Sequence, residues 1–433
     1  MEMSDGKKKG LGRTILHIIL MVPAAALIGY LLLVLVYLIP RDKLIMGLAN
    51  SVSALQQDHS FDEVITGYQS SRLDVFTDGA MLNAALHDSP DSPFRRAVAC
   101  SQYVYKDKSP AQGFIAYFEP NEPDGETAYT RYWHGFLIFL KPLLVFFNYS
   151  DIRVINVLCQ TGLLFLTVYA FFRRKLTAYV PAFLLTWIFL MPFSLPLSLQ
   201  YSTVFYIGVG SLAGLLLLHD RLKDKNLILE WFVLTGLLTS YFDLLTYPVF
   251  TLGLPLTGLL LIQNEERKRD GLPWKGWPGF IGAAFCWGVG YAGMWVCKIL
   301  LSIPFYGMES LRATLSEVEK RSFVGAAAED YTYYEALRNN LEMYRNPLYQ
   351  YLLILYTLFA LLFLAVKVFR KQEKLCFQLL LPILLVAALP FIWYFALTEH
   401  SAIHAFFTYK SLTVAVFACL CIPVLLIGPS HRE

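Results

Sequence analysis

The stretch TILHIILMVPAAALIGYLLLVLVYLI, residues 14–39, contains no aspartate, glutamate, lysine or arginine. A helix needs about 17–25 mainly apolar residues to cross a bilayer, and this stretch is long enough. It is too long for the apolar core of a signal peptide, and no small-residue cleavage site follows it. The sequence therefore predicts a membrane-spanning helix that the mature chain keeps.

Similar apolar runs recur along the whole chain. Of its 433 residues, 56% are hydrophobic and only 16% are charged, against about 25% charged in soluble proteins. The net charge of +3 indicates no nucleic-acid partner. We predict an all-α, polytopic transmembrane helix bundle that forms a single integral membrane domain, residues 1–433. About ten spans are expected, at residues 14–39, 150–172, 176–196, 202–219, 227–247, 248–263, 279–302, 347–368, 375–397 and 411–428.

Lysine and arginine gather in the short loops between alternate spans. Such loops tend to stay in the cytoplasm, so both termini are predicted to be cytoplasmic, with the plasma membrane as the expected location. The exterior then carries the long loops 40–133 and 303–346 and the turn 398–410, and the working face is expected there. The basic clusters are Lys7, Lys8, Lys9 and Arg13; Arg173, Arg174 and Lys175; Arg221, Lys223 and Lys225; Arg267, Lys268, Arg269 and Lys275; and Arg370, Lys371 and Lys374.

Motifs of several common chemistries are missing from the sequence. It has no Walker loop, GxSxG or CxxC pair, and its GxGxxG match at residues 288–293 lies within a predicted span. This argues against a nucleotide-driven pump, a serine hydrolase and a cysteine-based metal site. Of seven cysteines, only Cys100 lies in a predicted exterior loop. That loop therefore cannot close on a disulfide of its own.

Three helices are predicted around the first exterior loop. Residues 79–86 are expected to form a short helix, with residues 77–79 as its cap region. Residues 134–148 are too few to span and contain a Lys-Pro pair, so we predict a re-entrant or interface-parallel helix. Residues 43–56 are expected to lie in the membrane interface, because one face is apolar and is formed by Leu44, Ile45, Leu48, Val52 and Leu55.

The predicted architecture resembles the GT-C superfamily of polyprenyl-phosphate-sugar-dependent glycosyltransferases. In both, a first span is followed by a long exterior loop that contains interface helices and acidic residues. The resemblance is architectural and covers most of the chain. It implies a lipid-linked sugar donor, a glycan, lipid or protein acceptor, and a catalytic carboxylate in the first exterior loop. Many members carry an acidic pair soon after the first span. Here only Asp42 is near residue 40, and Asp74 and Asp78 follow later.

Transfer of a sugar from a lipid phosphate requires a base for the acceptor hydroxyl and positive charge or hydrogen-bond donors around the leaving phosphate. Asp78 is the predicted base. The alternative is that Asp78 lies at a helix N-terminus and only accepts hydrogen bonds from backbone amides.

The turn TEHSAIHAFFTYK, residues 398–410, places two histidines between apolar segments. In a helix, His400 and His404 stand one turn apart on one face, with Lys410 near the next span. We predict that these three residues clamp a lipid-linked phosphate. Two alternatives remain. The histidines could be two ligands of a divalent metal, although no resident cofactor is predicted, or they could lie at the interface beside a snorkelling lysine.

Four further polar residues near the exterior ends of spans are candidates. Asp243 is expected to bind sugar hydroxyls or act as a base, because a carboxylate in an apolar span must pair or face water. Arg153 could hold phosphate or simply pair with Asp151. Arg131 and His134 flank Trp133, a combination that suits a sugar face but is also common in interfacial aromatic belts.

Two other function classes compete with the glycosyltransferase. A multi-span transporter or a lipid or polysaccharide flippase fits ten spans with intramembrane charges. However, no internal repeat is visible, and the polar residues lie at span ends. A membrane acyltransferase would use a histidine that faces an acyl donor. However, the first span shows no arginine–histidine pair of the kind that is typical of those enzymes.

Overall fold

The computed structural model describes residues 5–328, 331–370 and 373–428. In this part of the chain the architecture is all-α, apart from one antiparallel two-stranded ribbon. The elements are α1 Asp5–Tyr37, α2 Arg41–Ala49, α3 Val52–Gln57, α4 Val75–Leu86, α5 Pro93–Ala99, β1 Gln102–Val104, α6 Pro110–Tyr117, β2 Gly125–Thr127, α7 Leu137–Leu144, α8 Tyr149–Arg173, α9 Val180–Phe189, α10 Leu199–Asp224, α11 Ile228–Phe242, α12 Val249–Asp270, α13 Trp277–Arg321, α14 Phe323–Ala328, α15 Tyr333–Glu342, α16 Pro347–Ala365, α17 Leu380–Ala396, α18 Thr398–Ile403, α19 Ala405–Thr408 and α20 Leu412–Leu425.

Each predicted span contains one helix, namely α1, α8, α9, α10, α11, α12, α13, α16, α17 and α20. Among the described residues, six stretches are long and apolar enough to cross a membrane by length and composition: Gly12–Tyr37, Tyr149–Arg173, Leu199–Asp224, Trp277–Arg321, Pro347–Arg370 and Ala405–Leu425. The helices at Thr177–Phe189, Ile228–Phe242 and Leu380–Ala396 are apolar but shorter. A multi-pass helical membrane protein is confirmed in this sense, and the count of ten stays a prediction.

The basic loops after α8, α10 and α12 meet at one end of the bundle. The guanidinium of Arg174 donates to both carboxylate oxygens of Asp220, at 2.6 and 2.8 Å, and the Lys223 ammonium donates to Glu266 at 2.9 Å. The predicted gathering of these three clusters on one side is thereby confirmed. That this side is cytoplasmic stays a prediction. Lys371 and the side chains at 7–9, which also supported it, lie outside the described part.

The segment 40–133, called the first exterior segment because it is predicted to be exterior, folds into a packed unit at the opposite end. The helix predicted at 43–56 is broken into α2 and α3, so a single interface helix is wrong. The break occurs at Ser51, whose hydroxyl donates to the Gly47 carbonyl at 2.7 Å and accepts from the Tyr149 amide at 2.9 Å. The side chains of Leu44, Leu48 and Leu55 are buried inside the protein.

The predicted short helices exist with different limits. The helix expected at 79–86 is α4 and begins at Val75, with Asp74 as its N-cap; the cap predicted at 77–79 is wrong. Within the region 134–148, α7 covers only Leu137–Leu144. Its Lys141 is buried and donates to the Ala85 carbonyl at 3.2 Å, which ties α7 to the end of α4.

The segment 303–346, which is also predicted to be exterior, is largely helical where the structure describes it. The helix α13 continues beyond its predicted span to Arg321 and bends at Gly307, where φ is 68° and ψ is −175°. Only glycine adopts this backbone conformation at low cost. The bend returns the last turns of α13 over the end of the bundle, and this places Arg321 near the turn 398–410.

Close packing of α11 on α13 fixes the position of the loop that follows α11. Gly236 lies against the backbone of Trp287 and Tyr291, and Gly290 lies against the backbone of Val233. A Cβ atom at either glycine would collide with the other helix. Small residues of this kind let two membrane helices approach closely.

Candidate functional site

A cavity of about 550 Å³ lies at the end of the bundle opposite the basic loops. Its walls come from the first exterior segment, the N-terminal end of α10, the end of α13 and the turn 398–410. The polar lining residues are Arg72, Asp74, Thr77, Gln102, Tyr129, His134, Gln200, Arg321, His400 and His404, and the aromatic ones include Phe61, Phe76, Phe136, Phe406 and Phe407.

Asp74 is the carboxylate of this cavity. As the N-cap of α4, its Oδ1 accepts from the Thr77 amide at 3.0 Å, and its own amide donates to Ser198 Oγ at 3.1 Å. Its Oδ2 is buried and has no hydrogen-bond partner among the described residues. Burial, followed by the charge of Asp78, raises the pKa of Asp74 to about 7. A carboxylate with such a pKa can accept a proton near neutral pH.

Asp78, the predicted base, does not line the cavity. Its Oδ2 accepts from Tyr149 Oη at 2.5 Å and from the Leu199 amide at 3.0 Å, and its Oδ1 accepts from the Gln200 amide at 3.3 Å. Those two amides begin α10, whose N-cap Ser198 makes no side-chain capping bond. Asp78 thus accepts hydrogen bonds from unpaired backbone amides at a helix N-terminus, which was the alternative to a role as the base. The helix concerned is α10 and not α4, the helix that contains Asp78.

Burial raises the pKa of Asp78 to about 6, although its hydrogen bond from Tyr149 and the charge of Arg153 both act to lower it. Arg153 donates to Tyr149 Oη at 2.7 Å and forms an ion pair with Asp58. It makes no contact with the cavity, and the predicted pairing with Asp151 is replaced by the pairing with Asp58. This network joins the exterior segment to α8 and α10.

His400 and His404 both line the cavity, and their ring centroids lie 4.8 Å apart. Burial lowers the pKa of His404 to about 4 and that of His400 well below its usual value. Both rings are therefore neutral at pH 7. His400 Nε2 lies 2.8 Å from the Leu245 carbonyl, so Nε2 carries the proton and Nδ1 is an acceptor. A neutral His400 fits a hydroxyl group better than a phosphate.

His134 is likewise a buried histidine with one ring nitrogen on a backbone carbonyl and the other left as an acceptor. It has a left-handed backbone (φ 56°), and its Nδ1 lies 2.9 Å from the Tyr132 carbonyl. Nδ1 must then donate, and Nε2 is an acceptor with no partner among the described residues. Burial lowers the pKa of His134 to about 3. Together with Asp74, the two histidines present three unpaired acceptor atoms, a pattern that suits a ligand rich in hydroxyl groups.

Two guanidinium groups supply positive charge in the cavity. Arg321 donates to Tyr132 Oη at 2.5 Å and lies 3.7 Å from Glu317. Arg72 lies 3.7 Å from Glu63. Neither arginine was predicted from the sequence. Arg72 stands two residues before Asp74. A basic and an acidic residue directly before a helix are a sequence signal that could have marked both as candidate site residues.

The remaining predicted residues lie elsewhere. Lys410 is fully buried and donates to the Leu190 carbonyl at 3.1 Å and to Tyr409 Oη at 2.7 Å, so it neither snorkels nor reaches the cavity. Asp243 and Arg131 line a smaller, neighbouring cavity. Of the eight predicted residues, the structure brings His134, His400 and His404 together in the main cavity.

An apolar groove of about 390 Å³ begins where the cavity ends. It runs between α7, α8 and α10 and shares Met81 and Phe136 with the cavity. Phe139 in its wall is 59% exposed, and the walls from α8 and α10 belong to two of the six long apolar stretches. The groove therefore opens to the exposed apolar surface of the helix bundle.

In the part of the chain that the structure describes, no third ligand joins the two turn histidines in a metal site. Within the described ranges, the residues that bring three ligand atoms within 4.8 Å of one another are His219, Asp220 and Glu266. They lie at the basic end, where Arg174 and Lys223 already neutralise the two carboxylates. No protein-family model, curated protein or solved structure matches the chain.

Proposed function

We propose that the protein is an integral membrane glycosyltransferase that moves a sugar from a polyprenyl-phosphate donor to an acceptor hydroxyl. The observation that carries this proposal is the junction at Met81 and Phe136, where a polar cavity with a carboxylate meets an apolar groove between spans. A ligand with a polar head and a long apolar tail fits both parts. The GT-C resemblance supports the same substrate class.

The groove takes the prenyl chain and the cavity takes the head group. Burying prenyl carbons against α7, α8 and α10 contributes roughly 25 cal/mol per Å² of apolar surface. Arg321 and Arg72 are the groups for the phosphate, since a guanidinium matches phosphate oxygens in charge and geometry. His134 and His400 accept hydrogen bonds from sugar hydroxyls.

Asp74 acts as the base. Its Oδ2 takes the proton of the acceptor hydroxyl, the acceptor oxygen forms a bond to the anomeric carbon, and the bond from that carbon to the phosphate oxygen breaks. The polyprenyl phosphate leaves with one more negative charge, which the two arginines stabilise. Because the Asp74 carboxyl is buried in the cavity wall, the acceptor reaches Oδ2 through a small movement of neighbouring side chains.

The cavity end is proposed to face the exterior of the plasma membrane, where lipid-linked sugars and their acceptors meet. This orientation follows from placing the basic loops in the cytoplasm. Glycans, lipids and proteins remain the acceptor classes.

The experiment uses the full-length protein in lipid nanodiscs with polyprenyl-phosphate hexoses and pentoses labelled in the sugar. We expect cleavage of one donor by the parent, a loss of about 10²–10⁴-fold in Asp74→Asn, and parent-like cleavage in Asp91→Asn, a partly exposed aspartate of the same segment. Translocation of the lipid across the bilayer without cleavage of any donor would contradict the proposal and favour the flippase alternative.

A further inference from the structure

We propose that the second cavity, beside the first, binds one sugar ring of the acceptor. This inference rests on the proposed glycosyl transfer and adds that the acceptor is itself a carbohydrate or a glycoconjugate. The cavity measures about 190 Å³, equivalent to roughly six waters at about 30 Å³ each. It lies under the part of α13 that follows Gly307.

Aromatic residues contribute to the lining of this cavity. Tyr291 and Trp393 meet edge to face, with ring centroids 6.3 Å apart, and Trp295 lines the same space. Trp287 stacks on Tyr291 at 5.0 Å and 9°, which fixes the orientation of the tyrosine ring. The C–H face of a sugar carries a slight positive charge and packs on the negative face of an aromatic ring.

Polar groups in the lining of the same cavity complement a hydroxyl. Trp393 Nε1 is buried and has no acceptor in the described part of the chain, and a buried donor of this kind calls for a partner. Asp243 faces the same cavity and is held by the amide and hydroxyl of Thr246. Its two oxygens offer about four lone pairs, so it can still accept from a ligand. A hydroxyl group can accept from Trp393 and donate to Asp243.

The wall between the two cavities is thin. Arg321 lines both cavities; Leu244 lines the first and Leu245 lines the second. His400 of the first cavity is hydrogen-bonded to the carbonyl of Leu245. A sugar ring in the second cavity would therefore lie against the same guanidinium that faces the donor phosphate. A rotation of Arg321 would join the two spaces and give the acceptor hydroxyl a path towards Asp74.

A void left by imperfect packing would have a different lining. Such voids are apolar and stay dry, whereas this one contains a carboxylate, the Arg131–Glu317 ion pair at 2.5 Å and an unpaired indole N–H. The combination of flat aromatic rings with paired donor and acceptor groups is suited to a hydroxylated ring.

The test measures binding of free hexoses and N-acetylhexosamines to the protein in nanodiscs by saturation-transfer NMR. Trp393→Phe keeps one aromatic ring and removes the pyrrole half of the indole together with its N–H. We expect it to weaken binding of the recognised sugar about three- to tenfold. Asp243→Asn should weaken it as well, while Trp187→Phe, a tryptophan of α9 outside both cavities, should bind like the parent.

Binding of polyprenyl phosphate is measured on the same samples and separates the two proposals. We expect Trp393→Phe to keep the parent affinity for this lipid. If the lipid binds but the parent binds no sugar, or if sugar binding is unchanged in both Trp393→Phe and Asp243→Asn, the acceptor cavity is refuted and the donor site stands. If the lipid does not bind at all, the proposed function itself fails.

Discussion

Replacing Asp74 by asparagine separates catalysis from folding. Asparagine is as good an N-cap as aspartate, so the bond from the Thr77 amide and the start of α4 are retained. The basic carboxylate is lost, and the rate of sugar transfer should fall by about 10²–10⁴-fold. The amount of folded protein should not fall.

The same substitution predicts a change in stability with a defined sign. Folding raises the pKa of Asp74 from 3.8 to about 7, so the folded chain holds this proton more tightly than the unfolded chain. The parent therefore loses stability as the pH rises from about 4 through 7. At about 1.4 kcal/mol per pKa unit, the loss is at most about 4 kcal/mol. The asparagine side chain carries no titrating proton. The free energy of unfolding of Asp74→Asn should therefore rise relative to that of the parent between about pH 4 and 7, and the difference should stay constant above pH 7.

The assay is thermal unfolding in detergent, followed by tryptophan fluorescence from pH 5 to pH 8, with transfer rates measured on the same preparations. The matched control is Asp91→Asn, which should change neither quantity. Normal transfer by Asp74→Asn would refute the assignment of the base. Loss of transfer in Asp78→Asn together with normal transfer in Asp74→Asn would return that role to Asp78.

Four shorter predictions concern the site and the topology. Arg72 and Arg321 are the groups proposed to hold the phosphate, so affinity for polyprenyl phosphate in titrations should fall about ten- to a hundredfold in Arg321→Gln and should survive EDTA. Tyr149→Phe removes the hydroxyl between Asp78 and Arg153 and should cost about 1–3 kcal/mol in unfolding, with transfer per folded molecule unchanged. Gly307→Ala should cost about 1–3 kcal/mol at its positive φ in the same unfolding assay; no loss would show that the bend tolerates a side chain. Cysteines introduced at Gly125 and Gly271 should react with an impermeant thiol reagent from opposite sides of sealed vesicles, and labelling of both from one side would overturn the topology.

The span pattern could be predicted because hydropathy is a local property of the chain. Each apolar run contains a helix, and errors arise where the helix is not defined by lipid alone. The interface helix at 43–56 is the clearest case. Its apolar face packs on the protein, and Ser51 breaks it to pair with Tyr149, a partner 98 residues away.

The site depended on contacts that no local pattern shows. Asp74 and Asp78 lie one helical turn apart and look equivalent in sequence. Asp78 is committed to amides more than 120 residues away, and this leaves Asp74 to face the cavity. Arg321 reaches the cavity only because α13 continues past its span and bends at Gly307. The histidines were easier to find, since polar groups between apolar runs stand out in the sequence.

The bonds that anchor the exterior segment have a consequence for biosynthesis. Asp78 finds its partners at Tyr149, Leu199 and Gln200, and Ser70 is joined to Tyr349 and, through its carbonyl, to Tyr409. A ribosome synthesises residues 40–133 long before these partners exist. The full set of these bonds can therefore form only after residue 409 has been synthesised. A chain that stops before residue 398 lacks the part of the cavity wall that His400, His404 and Phe407 form, so the cavity can be completed only late in synthesis.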